Sequence, residues 1–150
     1  MARRRKRLRL VIDTMAVIRG ARAFRQKPPA PDTPELILIL SWIEDEYAFE
    51  WLFSEAILEE YREVLRRLRV PRNAVGRFIN RLHEAGVLVE VQERGEYSPD
   101  PKDDPFYHCA IAGGADYIVT DNTRDFPPVK GRKKPVVFTP AEAVRILSRA

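Results

Sequence analysis

The sequence predicts an α/β fold with a mostly parallel sheet and helices on both faces. Three observations predict it. Short β-branched or aromatic runs alternate with amphipathic stretches along the whole chain, the pattern of strand–helix–strand units. Proline, glycine and small polar residues punctuate the junctions. No internal repeat, low-complexity segment or long linker divides the 150 residues, a length that suits one domain with a full core.

The elements follow in order. Leu8-Arg9-Leu10-Val11-Ile12 is an apolar run that stops at Asp13, as a buried strand does. Ala21 to Thr33 is rich in basic residues and carries Pro28, Pro29 and Pro31, which predicts a loop. Pro34 can then open a helix, with Asp32 or Thr33 as its cap, running through Trp42 to about Asp45. Tyr47 to Phe53 alternates as an aromatic strand. Ser54 is a good N-cap for a helix from Ala56 to Leu68, whose stripe is Ile57, Tyr61, Val64, Leu65 and Leu68. Pro71 breaks it. The next helix starts near Arg72 or Asn73, carries Val75, Phe78, Ile79 and Leu82, and closes at Gly86.

Val87 to Val91 reads as a strand and Gly95 to Lys102 as a loop. Asp104-Pro105 opens a helix that ends at Gly113-Gly114, and Tyr117-Ile118-Val119 is the next buried strand. Pro135 to Phe138 is the last strand, and Thr139-Pro140 caps a final helix through Leu147.

Composition narrows the functional classes. The net charge of +4 is uneven: without Arg3, Arg4, Arg5, Lys6, Arg7 and Arg9, 20 basic residues face 22 acidic ones. A basic N-terminal tail over residues 1–7 therefore precedes a folded domain over 8–150. A second small basic cluster is Lys130, Arg132, Lys133 and Lys134. Such clusters can hold a phosphate backbone without sequence preference, and they also serve simply as solvated surface. The longest apolar run, Leu36 to Leu40, is too short to cross a bilayer, and no signal peptide is read, so a cytoplasmic location is expected. Cys109 is the single cysteine, which excludes an internal disulfide and a cysteine-rich metal site. It adjoins His108 on one helix, so the two point apart and make a poor nucleophile–base pair. His83 stands alone, and no glycine-rich phosphate loop is present.

The carboxylates are more informative. In an open parallel sheet, ligands bind at the carboxyl ends of the strands, near the point where strand order reverses. Asp13 directly follows the first strand, and Asp121, Asn122 and Asp125 follow the Tyr117–Val119 strand. Glu60 lies on the helix after the second strand, and Asp103 at the start of the helix before the fourth. Each has an ordinary reading too. Asp13 could cap the next turn, Glu60 could be an exposed acid with an arginine partner, and Asp125 could be a turn residue. Asp103 and Asp104 compete as helix cap, with Pro105 favouring Asp104. Taken together, clustered acids repel unless a cation neutralises them. Oxygen-only ligands select Mg²⁺ or Mn²⁺, ions that accept substrate phosphates and activate water for in-line attack.

The order of motifs resembles that of PIN-domain proteins, including toxins of the VapC kind. The resemblance is carried by Leu10-Val11-Ile12-Asp13-Thr14 and by Ser54 through Leu65 around Glu59-Glu60-Tyr61. It continues in Asp100-Pro101-Lys102-Asp103-Asp104-Pro105-Phe106 running into Ala110 through Thr120, and in Val137 through Glu142. It spans nearly the whole chain from Leu8 onward. It implies a three-layer α/β/α domain that cleaves single-stranded RNA with Mg²⁺ or Mn²⁺. By the same resemblance the catalytic acids fall on Asp13, Glu60, Asp103 and, in the fourth region, Asp125 first with Asp121 as the alternative. Metal ligation falls on Asp13, Asp103, Asp125 and Asp121, with Thr14, Thr120, Asn122 and Asp104 in support. The family usually carries Asn two residues after the first Asp, to steady that acid by hydrogen bonds, and here Met15 stands there. An antitoxin protein covering the acidic cleft is an implied partner, as is a homodimer, for which the aromatic edge around Trp42 or Trp51 could serve. Two other readings remain: a PIN-like module that binds RNA or protein without cutting, and a phosphotransferase or receiver-type domain. The last would want a further acid near the first strand, and Met15 removes it.

Overall fold

The computed structural model describes residues 7–44, 49–92 and 94–149, so residues 1–6 of the basic tail lie outside the described residues. Among the described residues, five strands form one parallel sheet: β1 (Leu8–Ile12), β2 (Phe49–Phe53), β3 (Val87–Leu88), β4 (Tyr117–Val119) and β5 (Val136–Phe138), in the order β3-β2-β1-β4-β5. Among the described residues, six α-helices complete three α/β/α layers: α1 (Thr14–Arg19), α2 (Pro34–Ile43), α3 (Glu55–Arg67), α4 (Arg72–Ala85), α5 (Asp104–Gly113) and α6 (Pro140–Ser148).

The chain runs outward from β1 through β2 to β3, then returns to β1's other side for β4 and β5. The order therefore reverses at β1/β4, where Leu10 pairs with Tyr117 and Ile12 with Val119. That point is where a parallel sheet opens a crevice at its carboxyl edge. Central strands covered on both faces must be apolar throughout, and Leu10, Val11, Ile12, Ile118 and Val119 are all essentially inaccessible to solvent.

Helix starts obey local chemistry. Thr33, rather than Asp32, caps α2 by accepting from the Leu36 N–H at 3.2 Å. Ser54 caps α3 through the Ile57 N–H at 3.3 Å, and Thr139 with Glu142 forms a reciprocal capping box on α6. At the end of α5, Gly114 adopts φ 65°, the left-handed conformation that closes a helix.

Several expectations need correction. The aromatic strand begins at Phe49, and Tyr47 and Asp45 lie outside the described residues. The strand expected over Val87 to Val91 has only two residues, because its partner β2 ends at Phe53, whose carbonyl accepts the Val89 N–H at 2.8 Å as the last bond between them. α1 escapes periodicity analysis because six residues make less than two turns. Leu68, placed on the buried stripe of α3, is 53% exposed because the helix has already ended at Arg67. Trp42 and Trp51 are both buried, packed edge to face at 4.9 Å between ring centres, so neither offers a surface to a second copy.

Candidate active site

The acids come from four separate segments: the end of β1, the second turn of α3, the start of α5 and the loop after β4. β1 delivers Asp13, whose own N–H donates to Val119 O at 2.9 Å and so continues the β1–β4 ladder. Asp13 occupies the cap position of α1 but makes no cap bond from its side chain. Its carboxylate instead accepts from the Thr120 hydroxyl at 2.8 Å and from the Thr14 amide. Asp13 is 6% exposed. Burial, with Glu60 and Asp121 nearby, pushes its carboxyl up to about 6 against that hydroxyl and amide.

α3 brings Glu60 to the same place. Tyr61, fully buried, donates its hydroxyl to Ile12 O and so pins α3 to the last residue of β1. That leaves Glu60, one residue earlier, to accept from the Thr14 hydroxyl. The surface reading of Glu60 does not hold: the arginine of that turn, Arg62, pairs with Glu59 at 2.7 Å.

Asp103 ends a short 3-10 turn (Pro101–Asp103) that leads into α5. Its carboxyl is raised to about 7, first by burial and then by Asp13, Asp100, Asp125 and Glu60. Asp104 plays a different part from the cap expected of it. α5 starts at Asp104 itself, and the Asp104 carboxylate reaches back to accept the N–H groups of Tyr97 and Ser98, both at 2.9 Å. A buried carboxylate with two amide donors is better satisfied than one at a helix end, so Asp104 fastens the preceding loop.

The loop after β4 splits its two acids. Asp125 is held by the Asn122 side-chain amide and lies within the field of Asp103. Its backbone carbonyl accepts from the Ser98 hydroxyl at 2.8 Å, which ties this loop to the one Asp104 fastens. Asp121 turns the other way, to Arg19 at 2.9 Å and to Glu35. Thr120, wholly buried, serves both sides: its hydroxyl donates to Asp13 and accepts from the Asn122 N–H at 3.0 Å.

Sequence reasoning missed two acids. Glu35 is 7% exposed on the first turn of α2, and burial and the bond shared with Asp121 raise its carboxyl. An acid after Pro34 looks like routine helix-dipole complementation, so only the fold distinguishes it. Asp100 adds to the field on Asp103, and its place in the Asp100-Pro101-Lys102-Asp103 run was its one signal. Met15 is 45% exposed on α1, and the steadying of Asp13 falls to Thr120 and the Thr14 amide. In the second basic cluster, Lys134 is held by Asp116 at 2.5 Å.

The donor set fits a hard divalent cation in chemistry, being all carboxylate, hydroxyl and amide oxygen. Among the described residues no three acids, histidines or cysteines yet converge closely enough to cage an ion by themselves. Mg²⁺ needs no such cage, since it is commonly held by one or two carboxylates, waters and substrate phosphate. No helix among the described residues is long and apolar enough to cross a membrane.

A family model described as PIN domain matches residues 9–124, which contain Asp13, Glu60, Asp103 and Asp121 and stop one residue short of Asp125. PIN domains are generally nucleases that use divalent metal ions. No curated protein matches the chain.

Proposed function

Because the chain belongs to the PIN-domain family, we propose that it is a metal-dependent endoribonuclease that hydrolyses phosphodiester bonds of single-stranded RNA. One observation carries this reading: Asp13, Asp125 and Glu60 all lie close enough to Asp103 for their charges to add to burial in raising its carboxyl. Crowding such acids together costs folding energy, which a bound divalent cation would relieve, and the cation could then accept a substrate phosphate.

Asp13, Asp103 and Asp125 would hold Mg²⁺ or Mn²⁺, with Asp121 at the margin because Arg19 already pairs with it. When bound, such an ion neutralises the phosphate and lowers the pKa of a water. The chain's own groups do the positioning. Thr120 fixes the rotamer of Asp13, and Thr14 holds Glu60 facing the same space. Asn122 holds Asp125. In-line attack would form a bond from the water oxygen to phosphorus, with loss of a proton from that water, and break the bond to the leaving ribose oxygen, which takes up a proton in its place.

The same reading makes the chain the toxin of a toxin–antitoxin pair acting in the cytoplasm, with an antitoxin segment over the acidic edge. The resemblance to VapC-type toxins supports it. The test is cleavage of a single-stranded RNA by wild type and Asp13→Asn, each with Mg²⁺, with Mn²⁺ and with excess chelator. Cleavage by wild type with metal, and by nothing else, is expected. Cleavage that survives chelator or Asp13→Asn overturns the mechanism, and equal RNA binding without cleavage by either protein identifies a binding module instead.

A further inference from the structure

Between α3 and α4, in the stretch of α3 beyond Glu60, runs a groove of about 620 Å³. Its floor is apolar, from Val70, Val75 and Ile79, and its walls carry Arg62, Arg66 and Arg72. Arg62 is engaged by Glu59, whereas Arg66 and Arg72 make no ion pair among the described residues.

Two residues here contradict what the local backbone prefers. Gly76 lies inside the 14-residue helix α4, where glycine is the worst choice after proline. A Cβ added there would meet no atom within 4 Å, so nothing in the fold requires its absence. The second is Arg69, at φ 60° in the turn that joins the helices. That turn is a paired helix stop, with the Arg69 N–H on Arg66 O and the Val70 N–H on Leu65 O, both at 3.0 Å. Its left-handed position normally takes Gly or Asn. A glycine is thus spent where the helix wants a side chain, and an arginine kept where the turn wants glycine. Departures of this kind mark surfaces shaped by something other than folding.

We propose that this groove docks an acidic amphipathic helix of a partner protein. Its apolar stripe would lie over Val70, Val75 and Ile79, its backbone would approach closely at Gly76, and its carboxylates would meet Arg66 and Arg72. Helix-in-groove recognition needs those three features together: an apolar floor, room for close approach and a rim of complementary charge. RNA fits less well, because the lining holds no aromatic ring on which bases could stack. A second copy of the chain fits less well again, since a two-fold contact would set one arginine rim against the other. The inference does not depend on the nuclease reading.

The test uses the full chain and a fluorescein-labelled synthetic peptide of about 20 residues, with leucines at i, i+3, i+4 and i+7 flanked by glutamates, followed by anisotropy. Saturable binding is expected, weakened at least tenfold by Gly76→Leu and by the Arg66→Glu/Arg72→Glu pair. Gly76→Ala should raise Tm by about 2–4 °C, because it restores helix propensity without a clash, while also weakening the peptide. RNA cleavage by all three variants should match wild type. Equal binding of a scrambled peptide of the same composition overturns the proposal, as does full affinity in Gly76→Leu. If instead a single-stranded RNA oligonucleotide loses tenfold in affinity with Gly76→Leu, the groove belongs to RNA.

Discussion

The carboxylate of Asp104 accepts two backbone N–H groups at 2.9 Å, whereas that of Asp103, one residue earlier, accepts no hydrogen bond among the described residues and lies in the field of Asp13, Asp100, Asp125 and Glu60. The two share a chemical identity and a helix end. One is compensated by the chain that holds it, and that marks a fastening of the fold. The other meets no hydrogen-bond donor among the described residues, and in the proposed mechanism a cation takes up its charge. The same division separates Asp116, held by Lys134 and by the Arg9 N–H, from Asp13, which among the described residues has a hydroxyl and an amide against its burial. What distinguishes the acids of this protein is therefore not exposure but whether the fold has already answered their charge.

Substitutions can break that comparison, and the largest effect should fall on activity. Asp13→Asn keeps the acceptor for Thr120 and removes only charge, so RNA cleavage with Mn²⁺ should drop roughly 10³-fold, about 4 kcal/mol in the barrier. In the absence of metal the same variant should be at least as stable as wild type, because a buried charge near other acids is gone. A Tm below that of wild type in chelator would show that Asp13 is compensated after all. Asp104→Ala should do the reverse. Losing two charge-assisted bonds costs about 3 kcal/mol, or roughly 6–12 °C in Tm, and Asp103→Ala should cost little of this. Urea melts of the two single variants separate the outcomes.

This contrast explains how far the sequence could be read. Asp13 was legible because it ends an apolar strand, and strand ends are where a parallel sheet binds. The alternation of strands and helices was legible for the same periodic reason, apart from α1, which is too short to show a period. Asp103 and Asp104 were harder. Turn chemistry finds the helix start but cannot say which of two adjacent acids turns toward the Tyr97–Ser98 backbone, since that loop returns only in three dimensions. Glu35 was illegible because its burial is tertiary and its first-turn position has a sufficient local reason. Trp42 and Trp51 were misread as an available edge for the converse reason: aromatic residues suit interfaces and cores equally, and only packing decides.

The metal-free protein should also lose stability as pH rises. Asp13 and Asp103 rise from 3.8 to about 6 and about 7, so the folded chain holds their protons more tightly than the unfolded chain does. The stability they contribute is fully present below about pH 3.8 and is lost as pH rises through 6 to 7. For Asp13 the displacement corresponds to about 3 kcal/mol. Urea melts in chelator at pH 4.5, 6 and 7.5 should therefore show wild type losing stability relative to Asp13→Asn as pH rises. Saturating Mn²⁺ should narrow that difference by favouring the ionised acids. A difference that stays flat across this range would mean that Asp13 is not strained by its neighbours.

The smallest effect should come from the group that answers Asp13 in part. Thr120→Val keeps the shape of a wholly buried side chain and removes the hydroxyl that Asp13 and the Asn122 N–H both use. Cleavage should fall about tenfold, close to 1.4 kcal/mol, through loosened orientation rather than lost charge. The pH at which metal-free stability declines should move upward, because one of the bonds holding the Asp13 carboxyl down is gone. A structural role alone would lower Tm without moving that pH. If Thr120→Val leaves both the rate and the pH unchanged, Asp13 needs no second residue to aim it, and the exposed Met15 needs no substitute.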